Sequence, residues 1–190
     1  DKLMASDGEV TADRHISFGE ANNFVNQMIP SAGGGAWVLL YKGGGLYRID
    51  GKTYGQRKID VEKDVGGEPS NIIATDNGQL WCATDEAIAV YDAPTCQYLR
   101  KFSVSRYANC TVTAMKQVGD KVWLATNTGV WTVDMATFKP ERLNIPNHPF
   151  YSIGYDEKAA KVVLGGLDEI VEVSLGDITA EQPEPDIFVT

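Results

Sequence analysis

A stretch that recurs along the chain at a nearly constant spacing constrains the fold most. Asn71–Asp92 reads NIIATDNGQLWCATDEAIAVYD, in which an Asn-Gly turn, a polar corner and three short apolar runs alternate. Thr111–Asp134 has the same order, and placing Trp123 on Trp81 aligns the following Thr, aliphatic and Asp positions without a gap. Asn-Gly between apolar runs favours a β-hairpin, because both turn residues must accept positive φ. The stretch is therefore a repeat built from strands.

Two weaker copies flank this pair, so the chain contains four repeats. The aligned positions are Trp37, Trp81, Trp123 and Val163, which lie 44, 42 and 40 residues apart. A period of about 40–45 residues with four short strands in each unit is typical of β-propeller blades. The sequence therefore predicts an all-β fold of four-stranded antiparallel blades, with a repeat of about 42 residues. Two arrangements stay open: a closed four-bladed propeller, or part of a larger one, which the mid-blade start and the interrupted end favour.

The repeats also predict how the chain is divided. Residues 1–23 are expected to be a partial blade, because they match the third and fourth strands of a blade at a constant offset of 43 residues. Further blades are predicted to start at about residues 24, 71, 111 and 150, so that the propeller segment spans residues 1–176. Residues 177–190 contain two prolines among acidic residues and are predicted to be a linker that ends in an apolar strand.

Composition excludes several classes of partner. The formal net charge of -9 and the pI near 4.7 argue against a nucleic-acid surface, which needs a basic stripe, and against binding to anionic membranes. No apolar run approaches the roughly 18 residues of a membrane span, so we expect no direct membrane insertion by this segment. The three cysteines have no metal-site spacing and are predicted to be small buried hydrophobes. A Cys96–Cys110 bridge stays open for an oxidising compartment.

The repeats resemble the two-component-regulator propeller repeat. That pattern has an apolar strand, then D-x-x-G-x-L-W-(I/L/V)-(A/G)-T, then G-L and an aromatic-x-D close. The residues that match it are Asp76, Gly78, Leu80, Trp81 and Thr84 in one copy, and Trp123, Ala125, Thr126, Gly129 and Asp134 in the next. The fourth copy departs from the pattern, with Val163 in place of tryptophan and Gly166 in place of threonine. Gly165–Glu169, Asp177-Ile178, the two prolines and Ile187–Thr190 resemble the family's junction with an immunoglobulin-like domain.

This resemblance implies a non-catalytic sensing module in the periplasm, in the extracytoplasmic part of a membrane-anchored hybrid two-component system. Such proteins detect oligosaccharides and relay the signal to a histidine kinase, which here would lie outside the chain. The implied partners are an oligosaccharide, neighbouring propeller and immunoglobulin-like domains of the same protein, and a second copy in a homodimer of the full-length form.

Propeller ligands usually bind at one mouth of the central channel, between the corners that join second and third strands and the connections between blades. A sugar site needs an aromatic face for C–H groups and planar polar groups for hydroxyls. The residues that meet these requirements at the predicted mouth are Lys42, Asp85, Arg106, Tyr107, Asn127 and His148.

No catalytic residue, metal ligand or cofactor is predicted. Neither His15 nor His148 has a serine or cysteine nearby in a nucleophile context, and no HExxH motif is present. Two alternatives to the sensor stay open. One is a propeller lyase or glycosidase that uses a pair of carboxylates across the channel, and the other is a structural dimerisation scaffold. The three recurring tryptophans are predicted to pack blades, whereas Trp131 could serve packing or face a groove or a partner.

Overall fold

The structure of the chain, a computed structural model, describes residues 3–6, 9–12, 16–19, 24–41, 43–103, 110–145 and 148–178. Within these ranges the fold consists of short β-strands joined by turns, with one five-residue α-helix and one 3-10 turn. No helix in the described part of the chain is long and apolar enough to span a membrane.

The strands form a hairpin followed by four antiparallel sheets, each built in chain order. The hairpin consists of β1 (Leu3–Ser6) and β2 (Glu9–Ala12). Blade one consists of β3 (Val25–Pro30), β4 (Gly35–Leu40), β5 (Gly45–Asp50) and β6 (Gln56–Ile59). Blade two consists of β7 (Pro69–Ala74), β8 (Gln79–Thr84), β9 (Ile88–Asp92) and β10 (Gln97–Phe102). Blade three consists of β11 (Val112–Val118), β12 (Lys121–Thr126), β13 (Gly129–Asp134) and β14 (Pro140–Arg142). Blade four consists of β15 (Ser152–Asp156), β16 (Lys161–Gly165) and β17 (Ile170–Ser174) among the described residues.

The sheets stack side by side with their first strands innermost. β3 contacts β7, β7 contacts β11, and β11 contacts β15, whereas the fourth strands lie at the outer edges. The corners between second and third strands and the connections between blades share one side of the stack, which we call the connection side. The turns between first and second strands and between third and fourth strands lie on the opposite side, the turn side. This arrangement confirms the predicted all-β propeller blades.

The recurring tryptophans form the cores between blades. The side chains of Trp37, Trp81 and Trp123 are 0–3% exposed, and each faces the next blade along the chain. Trp81 packs face to face with Phe138 and edge to face with Phe102, at centroid distances of 5.6 and 5.3 Å. Inner strands are apolar on both sides because a blade buries both faces against its neighbours. The prediction that these tryptophans pack blades is therefore confirmed.

The repeated threonine caps the corner on the connection side. The Thr126 hydroxyl donates to the Gly129 carbonyl at 2.8 Å and accepts the Thr128 N–H at 3.1 Å. Thr84 makes the equivalent bonds one blade earlier: its hydroxyl donates to the Ala87 carbonyl at 2.9 Å and accepts the Glu86 N–H at 3.1 Å. Both threonines are buried, so in each corner a buried hydroxyl bonds backbone groups of the exposed turn.

A second repeated motif stabilises the turns between third and fourth strands on the turn side. Asp50, Asp92 and Asp134 each end a third strand, and each is followed three residues later by a threonine. Every one of these carboxylates accepts the backbone N–H and the hydroxyl of that threonine. These hydrogen bonds to the charged form lower the pKa of all three aspartates. The fourth residue after each aspartate has φ near +60° and donates its N–H back to the aspartate carbonyl. An Asp-x-x-Thr motif thus sets the outer hairpin of each of the first three blades.

The connection between blades one and two contains a short helix that the sequence analysis did not predict. It is α1 (Val61–Val65), whose N-terminus is capped by Asp60. Val61 and Val65 lie four residues apart, so both face the core between blades one and two. The Asp64 carboxylate accepts a hydrogen bond from the buried Tyr91 hydroxyl at 3.0 Å. A helix this short depends on such contacts rather than on its own propensity.

The first fragment and blade three each have a short outer strand. The offset of 43 residues from β6 corresponds to residues 13–16, but β2 comes earlier, where Ser6 pairs directly with Glu9. His15 lies outside the described residues, and Ile16 packs against the first face of blade one. The outer strand of blade three is β14, and the Leu143 N–H continues its pairing by donating to the Val130 carbonyl at 3.0 Å. There the Ile145 N–H turns back to the Leu143 carbonyl at 2.8 Å.

The structure also shows the state of the three cysteines and the location of Trp131. All three cysteines are free thiols, and burial raises the pKa of Cys82 to about 12. The Cys96–Cys110 bridge is not formed, because Cys96 packs between blades one and two and Cys110 between blades two and three. Trp131 is half-buried in the core between blades two and three, so packing accounts for its position.

Candidate ligand-binding mouth

Asp85 lies in the β8–β9 corner on the connection side. It is exposed, and its Oδ1 accepts a hydrogen bond from the Glu68 backbone N–H at 3.2 Å. Gly67 allows this approach, because its φ is +74° and a Cβ there would overlap the Asp85 carboxylate. The Asp85 side chain therefore ties the segment that enters blade two to the corner of the same blade.

Asn127 occupies the equivalent position in the β12–β13 corner. Its Oδ1 accepts the Thr111 N–H at 2.8 Å, and its own N–H donates to the Thr111 carbonyl at 3.1 Å. Thr111 is the last residue before β11, so the segment that enters blade three is held in the same way. The repeat explains why a short side chain with an acceptor oxygen stands at both positions.

His148 joins the segment that enters blade four to the corner of that blade, through its imidazole ring rather than through an acceptor oxygen. Its Nε2 lies 2.9 Å from Oε1 of Glu169 in the β16–β17 corner, and its ring lies 4.6 Å from that of the buried Phe150. The Phe150 N–H donates to the Thr126 carbonyl at 3.1 Å, which anchors the connection to blade three as well. The histidine side of this contact is 33% exposed and the glutamate side 43%, so the contact is open to solvent.

The six residues predicted to bind ligand therefore fall into two groups. Asp85, Asn127 and His148 lie on the same side of three successive blades, and each braces the connection of its own blade. Lys42, Arg106 and Tyr107 lie outside the described residues. The three described residues lie on the connection side, but none contacts another and each is bonded within its blade. Their binding of a ligand stays a prediction.

The residues that lead into the inner strands were not predicted as site residues. One residue immediately precedes each inner strand and so stands where the connection reaches the channel. These residues are Phe24, Glu68, Thr111 and Tyr151, and all four are exposed. The feature of the sequence that could have identified them is their shared location, one residue before the first strand of each blade.

The described residues contain no group of three or more His, Cys, Asp or Glu side chains that could hold a metal ion. The most deeply buried thiol, Cys82, is 0% exposed and lies within a strand, away from the mouth. What the mouth offers is therefore aromatic surface together with carboxylate, amide and hydroxyl oxygens, which suits hydrogen bonding to a polyhydroxylated ligand.

Sequence comparison finds no protein-family model that matches the chain and no curated protein that matches it. Comparison with solved structures does find matches. The extracellular domain of BT4673 from B. thetaiotaomicron, assigned as a hybrid two component system, matches 95% of this chain at 27% identity with a TM-score of 0.80. The chain resembles the extracellular part of a two-component sensor.

This similarity confirms the resemblance predicted from the repeats and the predicted extracytoplasmic location of the segment. The chain spans only 24% of the BT4673 structure, so most of that protein has no counterpart here. The extracellular domain of BT3049 from the same organism matches 90% of this chain and 26% of its own at 19% identity, with a TM-score of 0.65. Virginiamycin B lyase from Staphylococcus aureus matches 83% of this chain and 55% of its own at 14% identity, with a TM-score of 0.64. The last two similarities concern the fold alone.

Proposed function

We propose that the chain is part of a non-catalytic sensing module in the extracytoplasmic region of a hybrid two-component system. In this proposal the propeller recognises an oligosaccharide and relays its binding to a histidine kinase that lies outside these residues. The observation that carries the proposal is the 27% identity over 95% of the chain to an extracellular domain assigned to such a system.

The relay requires partners beyond the chain. We infer that neighbouring propeller and immunoglobulin-like domains of the same protein pack against this segment, and that the full-length protein is a homodimer. Val25 and Met28 support the first inference, because both lie on the face of blade one that points away from blade two. They are 53% and 66% exposed. The residues that match Met28 in blades two and three, Ile72 and Met115, are 1% and 9% exposed at the interfaces between blades.

The test is calorimetric titration of the whole extracellular region with a panel of oligosaccharides, combined with product analysis of the same mixtures. Saturable binding with no new product supports the sensor. Shortened or unsaturated products would instead establish a lyase or glycosidase. Binding of no member of the panel, together with a concentration-dependent dimer in sedimentation, would establish a scaffold.

A further inference from the structure

A row of three side chains that can only donate hydrogen bonds crosses blade one, on the face that points toward blade two. The row consists of Trp37, Arg48 and Arg57, which pair across β4, β5 and β6. The Arg48 guanidinium lies over the Trp37 ring, 5.6 Å from its centroid. Like charges that face each other across neighbouring strands destabilise a sheet, so the two guanidinium groups are unfavourable here unless an anion offsets them.

The same row in blades two and three has no second cation. Blade two has Val90 at the position of Arg48, and blade three has Thr132 there. The outermost residue of the blade-three row is Glu141, whose carboxylate pairs with Lys121 at 3.2 Å. Of these three blades, only blade one places two cations in the row.

Backbone carbonyls accept the hydrogen bonds of both guanidinium groups. Arg48 donates to the Gly34 carbonyl at 2.8 Å and to the Ile49 carbonyl, and Arg57 donates to the Thr95 carbonyl of blade two at 3.0 Å. Within the described ranges, neither arginine forms an ion pair. Each guanidinium has five N–H groups, so both keep donors for a further acceptor.

Two carboxylates act on this region without bonding to either guanidinium. The Arg48 charge contributes to the lowered pKa of Asp50, and the Asp92 charge contributes to the raised pKa of the Cys96 thiol. Both carboxylates accept hydrogen bonds from the threonines of their own turns. They reduce the positive potential of the groove but leave the guanidinium groups without a bonded counter-ion.

A small residue stands beside this row where the next interface has an aromatic ring. Cys96 of blade two has the position that Phe138 has in blade three, four residues after the turn aspartate. Phe138 stacks on Trp81 at a centroid distance of 5.6 Å, whereas Cys96 is a half-buried thiol. Burial raises the pKa of this thiol, and the nearby Arg57 and Arg48 charges oppose that rise. Arg57 is exposed and Arg48 is half-buried, so an ion from solution can reach the groove.

The Trp37 indole adds a donor that has no acceptor. Its Nε1 is buried and unpaired in the part of the chain that the structure describes, whereas the Trp81 Nε1 donates to Gln79 Oε1 at 3.0 Å. Gly35 stands where blade two has Gln79, two residues before the tryptophan. A Cβ at Gly35 would lie 2.7 Å from an Arg48 nitrogen, so a second donor occupies the place of the missing acceptor. A buried donor without a partner costs free energy.

We propose that this groove, between blades one and two near the turn side, binds a phosphate or sulfate group between Arg48 and Arg57. Guanidinium groups bind such oxyanions through paired, charge-assisted hydrogen bonds. A doubly charged group matches the two cations and supplies acceptors for their remaining N–H groups. The groove lies away from the candidate mouth on the connection side, and the inference does not depend on the proposed sensing function.

The free ion and an ester carry the same oxygens, and the test separates these two sources. The whole extracellular region is titrated calorimetrically with inorganic phosphate, inorganic sulfate and glucose 6-phosphate, in sodium chloride at an ionic strength of about 0.15 M. Saturable binding of either free ion supports the site and identifies the ion as sufficient. Binding of glucose 6-phosphate alone supports the site and assigns it to an ester. Binding of none of the three would overturn the inference.

Variants locate the binding. Arg57→Gln and Arg48→Val are each expected to weaken it about tenfold or more, because each removes charge-assisted hydrogen bonds. Arg48→Val also reproduces the row of blade two. Lys58→Gln is the matched control: Lys58 is the next exposed cation on β6, but its Nζ lies over the Tyr47 ring, 5.9 Å from the centroid, on the other face of blade one. Equal weakening by all three variants would show unspecific attraction and overturn the site.

Two further measurements do not rely on calorimetric affinity. The bound ion should raise the melting temperature of the wild type but not that of Arg57→Gln, and the melting curve without ion shows that this variant folds. Crystals of the extracellular region soaked in selenate, which replaces sulfate, should show an anomalous peak between the two guanidinium groups. Peaks elsewhere with none in this groove would overturn the inference, even where calorimetry detects binding.

Discussion

The Gln27 side chain pairs with the backbone of Ile72 in the next blade. Its Nε2 donates to the Ile72 carbonyl and its Oε1 accepts the Ile72 N–H, both at 2.8 Å. An amide side chain therefore takes the place of a peptide group and joins the inner strands of blades one and two. Because the two residues are 45 positions apart, the bond is a tertiary contact between repeats.

Removal of this clamp should weaken the interface between blades. We expect Gln27→Leu to lower the free energy of unfolding by about 1–3 kcal/mol, because two backbone groups of Ile72 lose their partners. Urea denaturation followed by tryptophan fluorescence measures the change. Asn26→Leu is the control, since Asn26 is exposed and its amide reaches Ser70 only at 3.4 Å. Equal losses for the two variants would contradict the clamp.

The corner threonine should matter through its hydroxyl rather than its size. Thr126→Val keeps the shape but removes a buried donor and acceptor, so we expect a loss of about 1–3 kcal/mol in the free energy of unfolding. Thr126→Ser keeps the hydroxyl and should recover most of that loss. A serine variant no more stable than the valine variant would show that the methyl group, not the cap, is what the corner needs.

The central tryptophan of blade two should be the most costly residue to truncate. Trp81 is 0% exposed and stacks on Phe138 of blade three, so Trp81→Ala is expected to cost about 3–5 kcal/mol. Leu99→Ala, at a 48% exposed position on β10, should cost far less. Thermal denaturation of both variants tests the contrast, and similar melting temperatures would refute the role of Trp81 in joining blades.

The Asp-x-x-Thr turns should give the protein a specific acid sensitivity. Their hydrogen bonds lower the pKa of Asp50, Asp92 and Asp134 below the ordinary value of 3.8. A carboxyl with a lower pKa in the folded state stabilises the fold above its unfolded pKa, and this stabilisation disappears as pH falls through the folded pKa. The melting temperature should therefore fall as pH decreases from about 4 downwards.

The triple variant Asp50→Asn, Asp92→Asn and Asp134→Asn isolates this effect. It should melt below the wild type at neutral pH and lose part of the acid dependence, as measured by calorimetry from pH 7 to pH 2. Asp76→Asn, in the exposed β7–β8 turn, is the matched control and should keep the wild-type slope. An unchanged slope in the triple variant would show that other groups cause the acid sensitivity.

The sequence by itself determined the repeat, the strands and the tryptophan cores, because hairpin turns and apolar alternation act over a few residues and recur every 40 or so. The tertiary structure alone decided what Asp85 and Asn127 do. Their sequence position predicts ligand contacts, which stays a prediction, and the structure adds that each is bonded to a connection 16 or 17 residues away. The sequence marks the position of Phe24, Glu68, Thr111 and Tyr151 before each inner strand, but only the stacking of the sheets puts these four exposed residues on one side of the fold.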